Sequence, residues 1–521
     1  MKNGLKAPLK PLFFLIVFFL ASYLPLFLNG GIIVDDWGDI AHNLDCAGFS
    51  DCYQSWFPLF SNRPLAPLPI TGATFLFGNH FSAYLVFNTA IFFFAIGLTT
   101  NIIRKLIGAY PALVFTIIAA LPTIAMPVIV SPINQLTATV SFLYWAISLS
   151  LLFNYCITKS KIAYLLSYIF LLFGFLTYEV ILPLLPFTAF LPLIVEKSTL
   201  NKNFVRYFIS FILPIVGILI LVILWQKTIA PLFMDVDSRL KFNASQVLAM
   251  LYTWAHVFYL QLPLLIKKVW GYLSFYDLAT CIPLVLSLWF GHKISSPVSK
   301  NVRQLKFLVI ALLCFFSSSF IFILSGESAT SWGYGARGLS STWFVFALAL
   351  AGICGLIKKY NATLLLVVLF FSVASSLTFS VQRDNYIKSW QLQTAIIKDI
   401  LNLAQTHSLS QGAVILGDVP KFLIPNYNDE IVFSQPWDFG AALAIHTNKM
   451  ISDGAMIDTQ RNDLNKLLIT ENGILISGWW RANFDDLWLY AFDPALQKGS
   501  LTRLKNADQL KAYLNKPSRT Q

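Results

Sequence analysis

Long runs of apolar residues, separated by short polar connections, dominate the first 380 positions of the chain. Several of these runs hold about 18 or more apolar residues, which is enough for a helix to cross ~30 Å of hydrocarbon. The pattern therefore predicts an α-helical polytopic membrane protein with about 11 transmembrane helices. The predicted spans are Leu12 to Leu28, Ala83 to Ile103, Pro111 to Val130, Leu136 to Cys156, Ile162 to Thr177, Ile181 to Val195, Tyr207 to Leu224, Tyr272 to Phe290, Phe307 to Leu324, Thr342 to Ile357 and Ala362 to Ser380.

The charges of the connections predict the orientation. Basic residues cluster in alternate connections, such as 104–105 and 291–306, and the positive-inside rule assigns that side and the N-terminus to the cytoplasm. The first run lacks an Ala-x-Ala cleavage pattern and is predicted to be a retained helix. The stretch from Gln246 to Lys268 is apolar enough for a further span, but a crossing there would place the basic 291–306 connection outside. It is therefore predicted to be an interfacial or re-entrant part of an outer segment, 228–271.

The tail, 381–521, is more polar and mixes short β-rich runs with helical patterns. This alternation predicts a small α/β domain outside the cytoplasm, following a transmembrane domain over 1–380 whose first outer loop is 29–82. The predicted strands are Ala413 to Leu416, Gly473 to Ser477 and Leu487 to Phe492, and the predicted helices are Ile387 to Ala404 and Ala507 to Leu514.

Composition agrees with a membrane protein, since 57% of residues are hydrophobic and 12% are charged. The net charge of +12 could indicate a nucleic-acid partner. However, basic and acidic residues balance in the tail, so the excess lies in the connections between spans and no nucleic acid is needed. The span centres lack charge, which disfavours an ion-coupled transporter. Cys46 and Cys52 share the first loop, where a disulfide is open to them if the loop lies outside.

Three carboxylates, Asp35, Asp36 and Asp39, directly follow the first span. A carboxylate near the interface with a like-charged neighbour can acquire a raised pKa that suits a general base. The alternative is that acidic residues merely mark the outer end of the first helix. Trp37 and Arg63 lie in the same loop and favour the catalytic interpretation, because an arginine can grip a phosphate bidentately.

Two later outer connections carry further candidates. Glu179, preceded by Tyr178, is the one formally charged side chain in a long apolar stretch, which indicates either a role in a site or a buried salt bridge to Arg63 or Arg337. The loop "SGESATSWGYGARGLSST" contains Tyr334 and Arg337, which could stack on a sugar and hold an anion, unless the loop is only a flexible surface connection.

Together, a first helix ending in Asp-Asp, the segment from Asn62 to Leu65, an outer Tyr-Glu pair and an outer C-terminal domain resemble the GT-C superfamily of polyprenyl-phosphate-sugar-dependent glycosyltransferases. Residues 32–68 are most similar to the phage-conversion-type O-antigen glucosyltransferases. The resemblance implies inverting transfer of a sugar, such as the hexose glucose, from undecaprenyl phosphate to an envelope glycan, O-antigen or lipopolysaccharide. It implies a bacterial inner membrane, with the reaction and the C-terminal domain on the periplasmic face.

The resemblance also assigns roles to the candidate residues. Asp35 or Asp36 becomes the base, and Asp36 is favoured because it lies further from the membrane helix. Arg63 and Arg337 become ligands of the donor phosphate, and the remaining substrate-binding candidates are Glu179, Tyr178, Tyr334, Trp37 and Asp39. A divalent cation, Mg²⁺ or Mn²⁺, is left open. Two other classes stay open, a lipid-linked-sugar flippase or transporter and another envelope glycan polymerase or ligase.

Overall fold

A computed structural model gives the architecture of the chain. It describes residues 9–195, 204–233, 243–294, 301–356, 362–424, 430–447 and 450–515. Up to residue 406 these residues are almost entirely helical. The α-helices are α1 (Leu9–Asn29), α2 (Asp35–Leu44), α3 (Phe49–Trp56), α4 (Pro67–Phe77), α5 (Phe81–Ile107), α6 (Ala109–Ala119), α7 (Pro127–Val130), α8 (Leu136–Thr158), α9 (Lys161–Thr177), α10 (Leu185–Val195), α11 (Phe204–Tyr207), α12 (Leu213–Leu224), α13 (Val247–His256), α14 (Leu262–Trp270), α15 (Phe275–Ile294), α16 (Asn301–Ser317), α17 (Ser319–Ser325), α18 (Ser340–Leu356) and α19 (Ala362–Thr406).

Eight helical segments of the described residues are long and apolar enough to cross a membrane. Seven of them coincide with predicted spans, so the polytopic helical architecture is confirmed. The eighth, Ala244–Trp270, contains the stretch that was predicted to be interfacial. The eight segments are Lys10–Asn29, Phe81–Ile107, Leu136–Thr158, Val205–Leu232, Ala244–Trp270, Val302–Ser325, Tyr334–Leu356 and Leu365–Thr406.

The segment Ala244–Trp270 contacts connecting loops along its length. The Thr253 hydroxyl accepts from the backbone N–H of Ala329 at 3.4 Å, and the Gln261 side chain accepts from the N–H of Ser331 at 2.7 Å. Near the end of the segment, the Lys268 ammonium lies 3.6 Å from the Glu430 carboxylate of the C-terminal domain. The segment is thus long enough to span, yet it lies against the 326–333 loop and the C-terminal domain. Residues 234–242, which belong to the predicted outer segment, lie outside the described residues.

The predicted span from Pro111 to Val130 is not one continuous helix. Helix α6 ends at Ala119, and α7 begins only at Pro127. Pro122 and Pro127 both lack the backbone N–H that a continuing helix needs, which accounts for the break. The predicted spans Ile162 to Thr177 and Ile181 to Val195 are also helical, but as shorter apolar segments, Lys161–Thr177 and Glu179–Val195. The predicted span from Tyr272 coincides with α15.

Helix α19 contains 45 residues. At 1.5 Å per residue it is roughly 68 Å long, about twice the thickness of the hydrocarbon core. The predicted span ending at Ser380 and the predicted separate helix from Ile387 to Ala404 are therefore parts of one helix, and the predicted domain boundary falls inside it. Its second half carries the C-terminal domain.

The C-terminal domain is a small α/β unit, as predicted, and it completes the predicted fold class. Its larger sheet has the strand order β2-β1-β6-β7, with β1 parallel to β2 and β6 and with β7 antiparallel to β6. A second, antiparallel sheet has the order β3-β4-β5. The predicted strands and the final helix are confirmed. The elements are β1 (Ala413–Asp418), α20 (Pro436–Thr447), β2 (Ile451–Ile457), β3 (Leu468–Ile469), β4 (Gly473–Ile476), β5 (Trp480–Asn483), β6 (Leu487–Asp493), β7 (Lys498–Arg503) and α21 (Ala507–Leu514).

Candidate functional site

Asp35 and Asp36 form the first turn of α2, close behind the end of the first membrane helix. A helix N-terminus stabilises carboxylates, because the unsatisfied N–H groups give it a partial positive charge. The preceding residue, Val34, has φ 49°, a left-handed conformation that a β-branched residue rarely adopts. The chain therefore bends at the entry to α2. Within the helix, successive side chains point about 100° apart, so Asp35 and Asp36 face different directions.

The Asp36 side chain points into the protein and is fully buried. One of its oxygens accepts from the Ser131 hydroxyl at 3.0 Å and from the N–H groups of Ile133 and Asn134 at 3.1 and 2.8 Å. The other accepts from the N–H of Ile33 at 3.2 Å. Burial raises the pKa of Asp36 to about 7, although these donors partly oppose the shift. Asp36 thus ties α2 to the loop that follows the broken α6–α7 span.

The Asp35 carboxylate is 26% exposed and faces the junction between the membrane helices and the C-terminal domain. Its Oδ2 accepts from the Tyr334 hydroxyl at 2.9 Å and from the Arg337 guanidinium at 3.2 Å. Its Oδ1 accepts from the indole N–H of Trp437, in α20, at 3.2 Å. The expectation that Asp36 reaches outside more easily than Asp35 is therefore wrong, because the Asp36 side chain lies on the buried face of α2, against the loop at Ser131 to Asn134.

Asp39 lies one helical turn beyond Asp35 and is 6% exposed. Burial, with the nearby charges of Asp35 and Asp36, holds the pKa of Asp39 well above its usual range. One of its carboxyl oxygens has no hydrogen-bond partner among the described residues. Asp39 is thus a buried neighbour of Asp35 and is not exposed to a substrate.

Trp37, predicted to bind substrate, is fully buried. Its indole N–H donates to the Gln393 side chain at 2.8 Å, and its ring stacks on Trp390 at a centroid distance of 5.6 Å. Both partners belong to α19. At Gly31 an added Cβ would lie only 2.2 Å from the Trp390 ring, so this close packing requires glycine. Trp37 therefore fixes α2 against α19 and offers no free ring face to a sugar.

Arg63 is also buried, and its guanidinium is already engaged. It forms a salt bridge with Glu179 and lies over the Tyr178 ring, with 3.9 Å between the guanidinium carbon and the ring centroid. The Gln226 amide donates to the other Glu179 oxygen at 2.8 Å. Of the two partners left open for Glu179, the structure selects Arg63. This cluster neutralises two charges near the membrane and leaves little of Arg63 for a ligand.

Arg337 has a more open environment. Its side chain is 38% exposed, compared with 8% for Arg63. It lies over the Tyr334 ring at 4.3 Å and contacts Asp35 through one guanidinium nitrogen. Since a guanidinium carries five N–H donors, Arg337 keeps donors for an anion. Tyr178 is near enough to Arg337 for an electrostatic interaction, so the two arginine clusters are neighbours.

The predicted site residues are thus brought to one region, but in different roles. Asp35, Tyr334 and Arg337 face an accessible surface, whereas Asp36, Asp39, Trp37 and Arg63 lie beneath it. Cys46 and Cys52, in the loop region that contains α2, form a disulfide.

The carboxylates do not fit a divalent cation. Asp36 is surrounded by N–H and O–H donors, and Asp35 faces a cation and two further donors, whereas Mg²⁺ and Mn²⁺ need oxygen acceptors. Within the described part of the chain, no group of three or more His, Cys, Asp or Glu side chains is arranged to hold a metal ion.

Two exposed tryptophans beside the site, Trp437 and Trp479, are not among the residues that the sequence predicted. Trp479 is 52% exposed and its ring lies in tilted contact with that of Trp437, whereas its neighbour Trp480 is buried. Trp437 is 402 positions from Asp35 in the chain. The one local signal is an aromatic residue in the polar segment Ser434 to Asp438, where a core is not expected.

Comparison with protein-family models and with curated proteins gives no match. Among solved structures, the chain matches ArnT from Cupriavidus metallidurans in the apo state, with TM-score 0.39 and 13% identity over 88% of this chain and 95% of that chain. It also matches ArnT from the same organism bound to undecaprenyl phosphate, with TM-score 0.37 and 12% identity over 85% and 89%. Because these TM-scores are low, function is inferred from the side chains of the site.

Proposed function

We propose that this chain is a membrane glycosyltransferase that moves a sugar from a polyprenyl-phosphate carrier to a glycan hydroxyl, with Asp35 as the general base. One observation carries the proposal. A partly exposed carboxylate and a partly exposed guanidinium lie 3.2 Å apart where the membrane helices meet the C-terminal domain. A base and an anion ligand are the two groups that transfer from a sugar phosphate requires.

The donor phosphate binds Arg337, and this binding activates the base. In the structure Arg337 and Tyr334 both donate to Oδ2 of Asp35. A phosphate that takes over the guanidinium withdraws one of these donors, which leaves Oδ2 of Asp35 open to accept a hydrogen bond from the acceptor hydroxyl. Donor binding thereby prepares Asp35 for the acceptor hydroxyl.

In the reaction the acceptor oxygen attacks the anomeric carbon while its proton passes to Asp35. The bond from that carbon to the phosphate oxygen breaks on the opposite side, and the electron pair leaves with the polyprenyl phosphate. Arg337 stabilises the charge that grows on this leaving group. Attack from the side opposite the phosphate inverts the anomeric centre, and positive charge develops on the sugar ring on the way.

The resemblance of residues 32–68 supports the finer assignment. We propose a hexose such as glucose as the sugar, undecaprenyl phosphate as the carrier and O-antigen or lipopolysaccharide as the acceptor, on the periplasmic face of a bacterial inner membrane. A lipid-linked donor suits a chain whose described residues include eight candidate spans, because its tail can stay in the bilayer while the sugar reaches the outer loops.

The deciding experiment uses the purified protein in liposomes with radiolabelled undecaprenyl-phosphate glucose and a lipopolysaccharide acceptor. The unaltered protein is expected to label the acceptor, and Asp35→Asn to lose about 10³-fold in rate, as removal of a general base does. Asp51→Asn is the matched control, because Asp51 is an exposed carboxylate in the same loop that accepts from the N–H of Ala47. It is expected to retain full activity.

Two results would contradict the proposal. If Asp35→Asn transfers glucose as fast as the control variant, Asp35 is not the base. If the donor crosses the bilayer without labelling any acceptor, and does so equally in Asp35→Asn, the chain is a lipid-linked-sugar flippase. Analysis of the labelled product separates a glucosyltransferase from a glycan polymerase or ligase.

A further inference from the structure

Two exposed tryptophans lie side by side on the C-terminal domain. Trp437, in the first turn of α20, is 42% exposed, and Trp479, between β4 and β5, is 52% exposed. Their ring centroids are 5.8 Å apart and their planes are tilted by 30°. Beyond α19, Leu468 and Leu496 are the other large exposed hydrophobic residues among those described. A paired aromatic surface of this kind marks a binding site more often than a scattered exposed leucine does.

Local structure holds both rings outward. The buried Asp438 carboxylate accepts from the Ser434 N–H and hydroxyl at 2.8 and 3.0 Å and from the Gln435 N–H at 3.2 Å, which fixes the turn that carries Trp437. Burial raises the pKa of Asp438 to about 7. On the other side, Gly478 has φ 81°, a conformation that favours glycine, and it turns the chain so that Trp479 faces outward.

The pair adjoins the proposed base. The Trp437 indole donates to Oδ1 of Asp35, and its ring lies against α2, where a Cβ on Gly38 would be 3.8 Å from Trp437 Cδ1. A sugar stacked on the two rings therefore has its hydroxyls within a few ångströms of Asp35. Indole rings are suited to the apolar faces of sugars, since they offer a large rigid face with little conformational entropy to lose.

The two oxygens of Asp35 face different parts of the molecule. Tyr334 begins the candidate span Tyr334–Leu356, which also contains Arg337, and both residues hold Oδ2, whereas Trp437 belongs to the C-terminal domain and holds Oδ1. A donor whose lipid tail stays in the membrane approaches from the Oδ2 side. The Oδ1 side is left for a partner that comes from the aqueous phase.

We infer that Trp437 and Trp479 form a platform that binds the acceptor glycan, stacking one of its sugar residues beside Asp35. This inference rests on the proposed function, since it gives the second substrate a place at the same site. The platform sets acceptor affinity and the choice of the hydroxyl presented to the base. It has no part in holding the donor.

The test uses the full-length protein and the lipid-free oligosaccharide that mild acid releases from lipopolysaccharide. Trp479 is the residue to change, because it contacts Trp437 and makes no described contact with Asp35. Trp479→Ala is expected to raise the acceptor KM about tenfold, as loss of about 1.4 kcal/mol does. The donor KM and the kcat at saturating acceptor stay unchanged. Trp479→Phe recovers most of the affinity, and Leu496→Ala, an exposed residue of the same domain, has no effect.

A second variant separates stacking from packing. Trp479→Leu keeps an apolar contact with Trp437 but removes the aromatic face, so it is expected to bind acceptor as weakly as Trp479→Ala. Equal acceptor KM in the leucine variant and the unaltered protein overturns the platform, as does a donor KM that rises with the acceptor KM.

Direct binding of the same oligosaccharide, followed by tryptophan fluorescence without donor, distinguishes the two proposals. Binding that Trp479→Ala weakens about tenfold supports the platform even if no transfer occurs, in which case the transferase proposal fails alone. Transfer by the unaltered protein with oligosaccharide binding equal in both proteins overturns the platform and leaves the transferase proposal intact.

Discussion

Asp35 and Asp36 are adjacent in sequence and identical in chemistry, yet they occupy opposite environments. Asp35 is partly exposed and is held by three side chains, two from the start of the candidate span Tyr334–Leu356 and one from the C-terminal domain. Asp36 is fully buried and is held mainly by backbone N–H groups of the loop after α7. Side-chain donors can exchange for a substrate, whereas backbone donors in a packed loop cannot. The environment, more than the residue type, makes Asp35 a candidate base and gives Asp36 a structural role.

The largest expected difference is between the variants Asp35→Asn and Asp36→Asn. Asp35→Asn is expected to lower kcat about 10³-fold (~4 kcal/mol) with little loss of stability, because the amide keeps an acceptor for Trp437 but cannot take a proton. The measurement is kcat in the liposome assay together with the unfolding midpoint. Equal kcat values for Asp35→Asn and Asp36→Asn would remove the distinction between the two carboxylates.

Asp36→Ala is expected to act on stability instead. It leaves the four donors around Asp36 without their acceptor in a buried position, which lowers the free energy of unfolding by about 3 kcal/mol. Denaturant titration of the solubilised protein measures the loss, and transfer activity per folded molecule should stay near normal. A stable Asp36→Ala protein without activity would assign catalysis to Asp36.

The comparison extends to the two arginines. Arg337→Gln is expected to lower kcat/KM for the donor about 30-fold (~2 kcal/mol), because a charged hydrogen bond to the phosphate is lost. The matched control is the double variant Arg63→Gln, Glu179→Gln, which removes the buried ion pair as a unit and should change donor kcat/KM much less. A larger loss in the double variant would move the phosphate site to Arg63.

Over any single pH unit, the smallest effect is the pH dependence of stability. The folded-state pKa of Asp36 is raised from 3.8 to about 7, so between these values the folded protein keeps a proton that the unfolded chain releases. Stability therefore falls as pH rises through this window, by at most about 1.4 kcal/mol per pH unit for this group. Asp438 adds a shift of the same sign. Unfolding measured between pH 4 and pH 7 should show a shallower slope for Asp36→Asn, and an unchanged slope would contradict the assignment.

Local sequence signals predicted the elements but not the partners within the site. Apolar length is a local property, and so most spans and the strands β1, β4 and β6 were predicted. The burial of Asp36 depends on the loop at Ser131 to Asn134, which lies 95 to 98 positions away in the chain, and no periodicity records such a contact. The contact of Trp437 with Asp35 joins the two ends of the chain and depends on how the C-terminal domain sits on α19.

The predicted separation of the last span from the helix Ile387 to Ala404 was wrong for a related reason, because one helix contains both. Polarity rises there because the surroundings change, but α19 continues through a stretch rich in Ser, Val, Thr and Phe, so tertiary packing rather than helix propensity sustains it. Arg383 is fully buried, and its guanidinium donates to the Ser22 carbonyl at 2.8 Å, so a charged residue marks the interior of α19 where composition indicated its end.

Because α19 is unbroken, the direction in which its site residues point depends on how many helical residues precede them. Trp390 and Gln393 contact Trp37 and so fix α2. Both belong to α19, the helix that also contains the last candidate span. Each residue added to a helix rotates the rest of the rod by about 100° and advances it by about 1.5 Å. One extra residue near Ser380 would thus place Trp390 on another side of the helix. Four extra residues would restore nearly the same side but shift Trp390 along the helix axis by about 6 Å. The length of α19 in residues therefore sets how α2 and the C-terminal domain are oriented relative to the membrane-crossing part of the helix.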